Sequence, residues 1–222
     1  MIASKFILAI LIAYLLGSIP FGLVLGRLKG KVDIRQYGSG RTGATNVLRN
    51  FGRKASVLVT VADIGKASLA VFSAGVIVGG DQLILGNLTM GAATIKSLAA
   101  IIAIIGHIWP VFAGFKGGRG VATFVGGLAV LCPVAALFAG ELIIIGAGLS
   151  GYASLGSIAG VVGAYTIMIP LTIIYGFPLE YMSFVLAGSF IIILAHRDNI
   201  HRLLSGEERK LSQKARAGAA QT

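Results

Sequence analysis

The sequence has 222 residues, of which 56% are hydrophobic and only 12% are charged, and its mean hydropathy is +0.89. A soluble domain carries about 25% charged residues, so this composition excludes a soluble globular protein and predicts an integral membrane protein. The net charge of +11 is explained by membrane orientation and attraction to anionic lipid headgroups, and no nucleic-acid partner is expected.

Apolar runs long enough to cross about 30 Å of hydrocarbon, which takes about 20 residues, recur along the chain. They cover residues 6–25, 55–79, 91–113, 121–149, 152–176 and 179–195. The fourth run is too long for one ordinary span, and Cys132 and Pro133 interrupt it. Because proline removes a helical hydrogen bond and clashes with the preceding turn, we predict two short helices there. The predicted fold is therefore an all-α polytopic membrane bundle with seven transmembrane helices, or five if this run is one kinked helix and a later run is merely buried.

The basic residues predict the orientation of this bundle. Residues 27–54 hold eight Lys and Arg, residues 115–120 hold two, and the chain after His196 holds six, together 16 of the 19 in the sequence. With seven spans these three regions lie on one side, which the positive-inside rule makes cytoplasmic. We therefore expect the N-terminus outside and the C-terminus inside, with residues 1–205 forming one transmembrane domain and 206–222 a polar cytoplasmic tail.

The first basic loop contains GSGRTGATN, residues 38–46. It satisfies G-x-G-x-x-G, but no βαβ unit surrounds it, and the P-loop alternative lacks its lysine, so neither nucleotide motif applies. Glycines still allow backbone N–H groups to converge on an anion, and a following helix N-terminus adds partial positive charge. We therefore predict an anion-binding loop built from Gly38, Ser39, Gly40, Arg41, Thr42, Gly43, Thr45, Asn46 and Arg49.

The second basic loop ends the segment GHIWPVFAGFKGGRG, residues 106–120. Paired glycines between two cations predict a second phosphate cradle before the next helix. Its members are Lys116, Gly117, Gly118 and Arg119. We interpret the neighbouring Trp109 as an interfacial anchor and His107 as a structural histidine.

The third segment, AHRDNIHRLLSGEE, joins the last span to the tail at residues 195–208. His196 and Asn199 are three residues apart, so they share one face of a helix. Within the second span, Asp63 and Lys66 lie one turn apart, and we predict that they pair near the cytoplasmic end.

These features limit the chemistry. The sequence has no H-E-x-x-H, no G-x-S-x-G and no aspartate cluster for a metal-dependent phosphotransferase, and no histidine is followed five residues later by Asp. No metal site or cofactor is expected. A site holding two phosphate-bearing groups at a membrane surface remains, and it suits acyl or phosphate transfer through positioning and electrostatics.

The segments GSGRTGATNVLR, GHIWPVFAGFKGGRGVAT and HRDNIHRLLSGEE, in this order and spacing, resemble the three signature motifs of the bacterial acyl-phosphate:glycerol-3-phosphate acyltransferases. The resemblance implies a seven-helix membrane enzyme of the plasma membrane with its active site on the cytoplasmic face. It implies transfer of a fatty acyl group from acyl phosphate to the 1-hydroxyl of glycerol 3-phosphate, giving lysophosphatidate and phosphate in phospholipid biosynthesis. A soluble acyl-phosphate synthase is a candidate partner beside the two substrates and the bilayer.

The resemblance also assigns residues. Ser39, Arg49, Arg119, His196 and Asn199 match the family's functional positions, and the first loop and the cradle at 116–118 would hold the two phosphates, in either order. Two residues depart from the family pattern, because Arg119 stands where Lys is usual and Arg41 where Asn is common. The alternative function is a transporter for an organophosphate anion, since short broken helices with glycine-rich N-termini also suit that task.

Overall fold

The computed structural model describes residues 2–213, and over this range the chain is helical, as predicted. One short antiparallel hairpin, β1 and β2, interrupts the helices. The helices and strands are α1 Ile2–Gly17, α2 Phe21–Gly30, α3 Ala44–Val78, β1 Leu83–Leu85, β2 Leu88–Met90, α4 Ala92–Ile108, α5 Val121–Leu131, α6 Pro133–Ser150, α7 Ala153–Tyr175, α8 Leu179–Ala195 and α9 Arg197–Leu204.

Within the described range, five helical segments are long and apolar enough to cross a membrane, or six if the bent pair α8 and α9 counts as one span. The predicted break at Cys132 is confirmed, because α5 ends at Leu131 and α6 begins with Pro133 in its first turn. α5 has only 11 residues, which is short for a span. The count of seven and the orientation of the termini stay predictions.

Two helix boundaries differ from those that the apolar runs predicted. The first run is interrupted, because α1 ends at Gly17 and α2 starts at Phe21, directly after Pro20. The second run forms the end of a much longer helix: α3 starts at Ala44 and continues through a kink at Gly52, where φ is 81°. Hydropathy did not reveal this extension because the first turns of α3 are polar. The extension matters because it carries the N-terminus of α3 to the first loop.

Small residues bring the helices into close contact. α3 packs against α1, α4 and α5 through side chains such as Ala67, Ala70 and Ala103, which are fully buried. A Cβ on Gly126 would collide with the backbone of α3. In a bilayer, helices associate mainly through such van der Waals contact, since lipid is as apolar as their side chains.

The ends of the bundle differ in what they carry. Lys5 Nζ and Asp81 Oδ2 pair at 2.6 Å, joining the start of α1 to the turn after α3, next to the hairpin. Since α3 begins and α4 ends at the opposite end, that end carries the loop before α3 and the loop between α4 and α5. His196, at the end of α8, lines one cavity with residues of both loops, so all three sequence motifs meet at this end of the bundle.

Candidate active site

A cavity of about 560 Å³ opens where the three motifs meet. Its two ends differ in chemistry. The polar end includes Ser39, Arg41, Thr45, Arg119, Ser154 and His196. The apolar wall includes Ile64, Val121, Val125, Ile143 and Ile144. A ligand with an anionic head and a hydrocarbon chain matches this division.

The first loop is held in shape by the side chain of Asn46. Its Nδ2 donates to the carbonyl oxygens of Ile34, Tyr37 and Arg41 at 2.9–3.0 Å, and its Oδ1 accepts from the Ser39 N–H at 3.1 Å. Asn46 therefore builds the predicted loop by holding its backbone, and its Nδ2 donors are not free for an anion. Asn46 is buried and its donors are already used within the protein.

Two helix N-termini face the cavity instead. α3 starts after Gly43 and α5 after Gly120, and both glycines line the cavity. Among the described residues, the N–H groups of Ala44 and Thr45 have no acceptor. Such free N–H groups and the helix dipole favour an anion, and the phosphate contacts expected of Gly43 and Thr45 stay a prediction.

Arg119 is a desolvated cation in this site. Its Nε is buried without a hydrogen-bond partner, and no carboxylate of residues 2–213 lies within 4.0 Å of it. Burial, and then the positive charge of Arg41, lowers the pKa of Arg119 to about 10. The guanidinium remains charged at neutral pH, and it has a donor to offer to an anionic ligand.

Arg49 projects from the second turn of α3 towards the same region. Its Nη2 donates to the carbonyl oxygens of Arg209 and Lys210 at 2.9 and 3.3 Å, while its Nε is buried without a partner. Arg49 lines a small cleft beside the cavity together with Ser39, Thr45, Arg119 and Asn199. The structure thus brings together four of the five residues that the resemblance assigned, and His196 lines the adjoining cavity.

His196 directly follows the last residue of α8 and is buried. Its Nδ1 lies 2.8 Å from the carbonyl oxygen of Ile192. A carbonyl only accepts, so Nδ1 carries the proton and Nε2 has a free lone pair. Burial, opposed by this bond and reinforced by Arg119, lowers the pKa of His196 to about 4. The ring is therefore neutral at physiological pH.

Asn199 is also buried, and its two polar atoms have different surroundings. Nδ2 donates to Glu208 Oε1 at 2.6 Å, whereas Oδ1 is buried without a partner. The unpaired Oδ1 is an acceptor that a substrate hydroxyl or a bound water could satisfy.

Sequence reasoning gave no role to the segment after α9, yet part of it completes the site. Glu208 accepts hydrogen bonds from Ser154 Oγ at 3.1 Å and from Arg202 Nε at 2.9 Å, in addition to Asn199. Arg209 Nη1 donates to the carbonyl oxygen of Gly38. Glu208 is the last residue of the third motif, but the sequence alone did not identify its partners. Residues 214–222 of the predicted tail lie outside the described residues.

Two predicted cradle residues, Lys116 and Gly117, and one residue of the first loop, Gly40, do not line the cavity. Lys116 and Gly40 line a separate surface cleft, together with Arg27 and Arg35. The backbone turns away at Gly114 and Phe115, both with φ near +60°. Gly117 is used within the protein: its N–H donates to Ile108 and its carbonyl oxygen accepts from Thr42. Of the second cradle, only Gly118 and Arg119 line the cavity.

The paired glycines predicted that the backbone closely approaches another group. That group is His107 of the protein itself. A Cβ on Gly118 would collide with His107 Nε2, and one on Gly117 would collide with the His107 carbonyl oxygen. The predicted pair of Asp63 and Lys66 is confirmed, with Oδ1 and Nζ 2.7 Å apart. Among residues 2–213, no group of three His, Cys, Asp or Glu side chains is arranged to hold a metal ion.

Comparisons with known proteins agree on one family. Residues 7–206 match the family described as glycerol-3-phosphate acyltransferase. The chain is 56% identical to glycerol-3-phosphate acyltransferase 3 of Dehalococcoides mccartyi over 97% of this chain and 100% of that protein. It is 40% identical to the glycerol-3-phosphate acyltransferase of Halalkalibacterium halodurans over 91% of this chain and 93% of that protein.

The fold matches a solved structure as well. The crystal structure of PlsY (YgiH), an integral membrane glycerol 3-phosphate acyltransferase, in its glycerol 3-phosphate form superposes with a TM-score of 0.80. The two chains are 36% identical, over 92% of this chain and 94% of that one. The chain described here therefore belongs to the glycerol-3-phosphate acyltransferase family, the family of PlsY.

Proposed function

We propose that this chain transfers a fatty acyl group from acyl phosphate to the 1-hydroxyl of glycerol 3-phosphate, giving lysophosphatidate and inorganic phosphate. Membership of the family supports acyl transfer to glycerol 3-phosphate. PlsY, which shares the fold, has been crystallised in a glycerol 3-phosphate form and a lysophosphatidic acid form. The acyl-phosphate donor is the finer part of the proposal, and it is supported by the three motifs.

The observation that carries the proposal is the pair of desolvated guanidiniums. The Nε atoms of Arg49 and Arg119 are buried without partners, beside the free N–H groups at the start of α3. Leaving a buried charged donor unpaired costs free energy, so the site is poised for anions. Both proposed substrates carry a phosphate, and arginine binds phosphate through strong charge-assisted hydrogen bonds.

The apolar wall supports a lipid-like donor. It continues from the polar end to Ile143 and Ile144 on α6, and Ile144 is exposed on the outer surface of the helix. An acyl chain could enter from the bilayer along this wall. Burying each CH₂ group contributes roughly 0.8 kcal/mol.

The reaction follows from these placements. The 1-hydroxyl oxygen of glycerol 3-phosphate attacks the acyl carbon, a new ester C–O bond forms, and the C–O bond to phosphate breaks. The hydroxyl proton passes to a phosphate oxygen of the donor, which leaves as inorganic phosphate. Because the lowered pKa makes His196 a weak base, we assign His196 and Asn199 to orienting the hydroxyl, and the donor's phosphate to taking the proton.

The proposal also includes location in the plasma membrane with the site facing the cytoplasm. In a Cys132-free background, single cysteines at the exposed positions Lys116 and Ser212 should be protected from an impermeant thiol reagent in intact cells. A cysteine at Asp81, at the other end of the bundle, should be labelled. Labelling at Lys116 would contradict this orientation.

Turnover by purified protein in detergent tests the function. With acyl phosphate and glycerol 3-phosphate, lysophosphatidate and phosphate should form in equal amounts. Palmitoyl-CoA should not replace acyl phosphate, and comparable rates with the two donors would refute the donor assignment. Absence of product together with uptake of glycerol 3-phosphate into proteoliposomes would instead support the transporter.

A further inference from the structure

A cluster of three ionisable side chains lies inside the bundle directly behind the active-site cavity. Asp63 and Lys66 come from α3 and His107 from the last turn of α4, and all three are buried. Asp63 and His107 also line the cavity. Ionisable residues at such depth are costly and are usually retained for a function. The proposed reaction assigns no role to these three side chains.

Lys66 is the centre of this cluster. Its Nζ lies 2.7 Å from Asp63 Oδ1, 2.7 Å from the carbonyl oxygen of Ile19 and 3.0 Å from His107 Nδ1. The first contact is a close ion pair whose angle departs from hydrogen-bond geometry, because Asp63 Oδ1 makes no hydrogen bond. The ammonium is thus surrounded by three acceptors, and its charge is balanced by one carboxylate.

The tautomer of His107 follows from the two groups that Nδ1 faces. Nδ1 lies 3.0 Å from Lys66 Nζ and 3.5 Å from Asp63 Oδ1, and Asp63 Oδ1 makes no hydrogen bond. An ammonium has three donors and no acceptor, so we assign Nδ1 as the acceptor of Lys66. The proton of the neutral ring then resides on Nε2. Within residues 2–213, Nε2 has no hydrogen-bond partner and is not sealed off from the surface. It lies against Gly118, where any Cβ would collide with it.

The Nε2–H group therefore lies beside the junction of the two ends of the cavity. Gly118 precedes Arg119 of the anionic end, while Val121 and Val125 of the apolar wall follow within two turns of α5. In an acyl phosphate, the carbonyl group joins the phosphate to the hydrocarbon chain. A donor that occupies this cavity in the proposed way brings its carbonyl oxygen to the same junction.

We propose that His107 is a catalytic residue whose Nε2–H donates a hydrogen bond to the acyl carbonyl oxygen and to the oxyanion formed when the hydroxyl attacks. Lys66 and Asp63 are positioning residues that hold the ring in this tautomer. This assignment rests on the proposed function. A preorganised neutral donor in a site of low dielectric stabilises developing negative charge without reorganisation during the reaction.

Two isosteric variants separate this role from a structural one. His107→Gln places an amide donor near the position of Nε2, whereas His107→Asn keeps a polar atom near Nδ1 for Lys66 but removes the donor to the cavity. We expect His107→Asn to lower kcat by about 10²–10³-fold, the usual loss for one oxyanion donor, and His107→Gln to retain clearly more. KM for glycerol 3-phosphate should change little in both. Activity of His107→Asn equal to or above that of His107→Gln would overturn the assignment.

A measurement without turnover keeps the inference testable if these variants unfold or the proposed function fails. In a His201→Gln background, which removes the exposed third histidine, ring ¹⁵N spectra of the protein in detergent should show one histidine protonated on Nε2, which His107→Gln removes. His196, protonated on Nδ1, serves as an internal reference. Saturating lysophosphatidate, whose ester carbonyl occupies the place of the acyl carbonyl, should shift the Nε2 signal of His107. An Nδ1-protonated His107, or an unchanged signal with the lipid bound, would overturn the proposal, whereas absence of lysophosphatidate synthesis alone would count against the proposed function.

Discussion

Two groups of buried charges lie on either side of Gly118, and they differ in how the charge is balanced. Behind the glycine, Lys66 has Asp63 and two neutral acceptors within 3.0 Å. In front of it, Arg119 has no carboxylate within ion-pair distance among residues 2–213, and its Nε has no partner. Both groups are desolvated, yet only the first has its positive charge balanced by a carboxylate within residues 2–213.

The balanced group around Lys66 belongs to the framework of the bundle, whereas the unbalanced Arg119 belongs to the binding site. A completed ion pair contributes to folding only as a unit, and losing one partner leaves a buried charge alone. An incomplete cation already carries its desolvation cost in the free protein, so an arriving anion regains that free energy. Loss of one charge of the Asp63–Lys66 pair should therefore lower stability, and loss of the Arg119 charge should lower activity while the fold persists.

The largest effect is expected behind the glycine. Lys66→Met leaves the Asp63 carboxylate buried and unpaired, which costs roughly 3–5 kcal/mol of stability. Thermal unfolding in detergent should show a clearly lower Tm. The double variant Asp63→Asn/Lys66→Met removes both charges and should recover most of the loss. An unchanged Tm for Lys66→Met would remove the distinction between the two groups.

In front of the glycine, Arg119→Ala should weaken transition-state binding, measured by kcat/KM, by about 2–4 kcal/mol, because a desolvated substrate anion loses its partner. Its Tm should not fall, since repulsion with Arg41 is relieved. Arg119→Lys keeps the charge and should retain much more activity. Arg27→Ala, in the separate surface cleft, is the matched control and should behave like wild type. Near-normal kcat/KM for Arg119→Ala would mean that its charge only sets the orientation in the membrane.

Gly118 itself divides the two groups. Gly118→Ala drives a methyl group into His107 Nε2, and overpacking of this kind costs about 1–3 kcal/mol. We expect a lower Tm together with lower kcat. Gly65→Ala is the control, because a Cβ on that helical glycine meets nothing within 4 Å. If the two variants had the same Tm and kcat, the residues around Gly118 would have to move aside for the methyl group.

The smallest effect concerns His196, which lies in front of the glycine but carries no charge. His196→Gln should lower kcat about tenfold, or ~1.4 kcal/mol, because an orienting acceptor is displaced. The wild-type ring stays neutral until the pH falls to about 4, so the acidic limb of kcat above that pH should remain in place in the variant. Disappearance of that limb would identify His196 as the base.

The same pKa has a consequence for stability. The ring binds a proton near pH 6.5 in the unfolded chain and near 4 in the folded one. Stability therefore falls as the pH drops between these values. The Gln variant should lack this part of the decline, which acid-dependent Tm measurements would show.

Local patterns predicted much of the fold. The helix breaks before Pro133 because a proline ring removes a helical hydrogen bond and clashes with the preceding turn. Asp63 and Lys66 pair because they are one turn apart. The break at Pro20 follows from the same chemistry, although a continuous apolar run concealed it. The start of α3 at Ala44 could not be read from hydropathy, since its first turns are polar and its position depends on the loop that Asn46 holds.

The site was predictable where a motif carries its own chemistry and unpredictable where distant segments meet. Arg49, Arg119, His196 and Asn199 were identified within short motifs, and the structure gathers them. His107 completes the buried cluster with Asp63 and Lys66, but it is 41 residues from Lys66 in the sequence. Lys116 was misplaced because flanking charge cannot reveal which way a loop turns, and only the backbone at Gly114 and Phe115 decides that.

The contacts of the segment after α9 also bear on how the protein is made. Arg49 donates to the carbonyl oxygens of residues 209 and 210, and Arg209 donates to Gly38, across more than 150 residues of chain. During synthesis, the first loop leaves the ribosome long before its partners exist. The anion site is therefore closed by a segment that is translated more than 150 residues after the first loop, and a nascent chain inserted in the membrane stays without a finished site until residues 209 and 210 have been made.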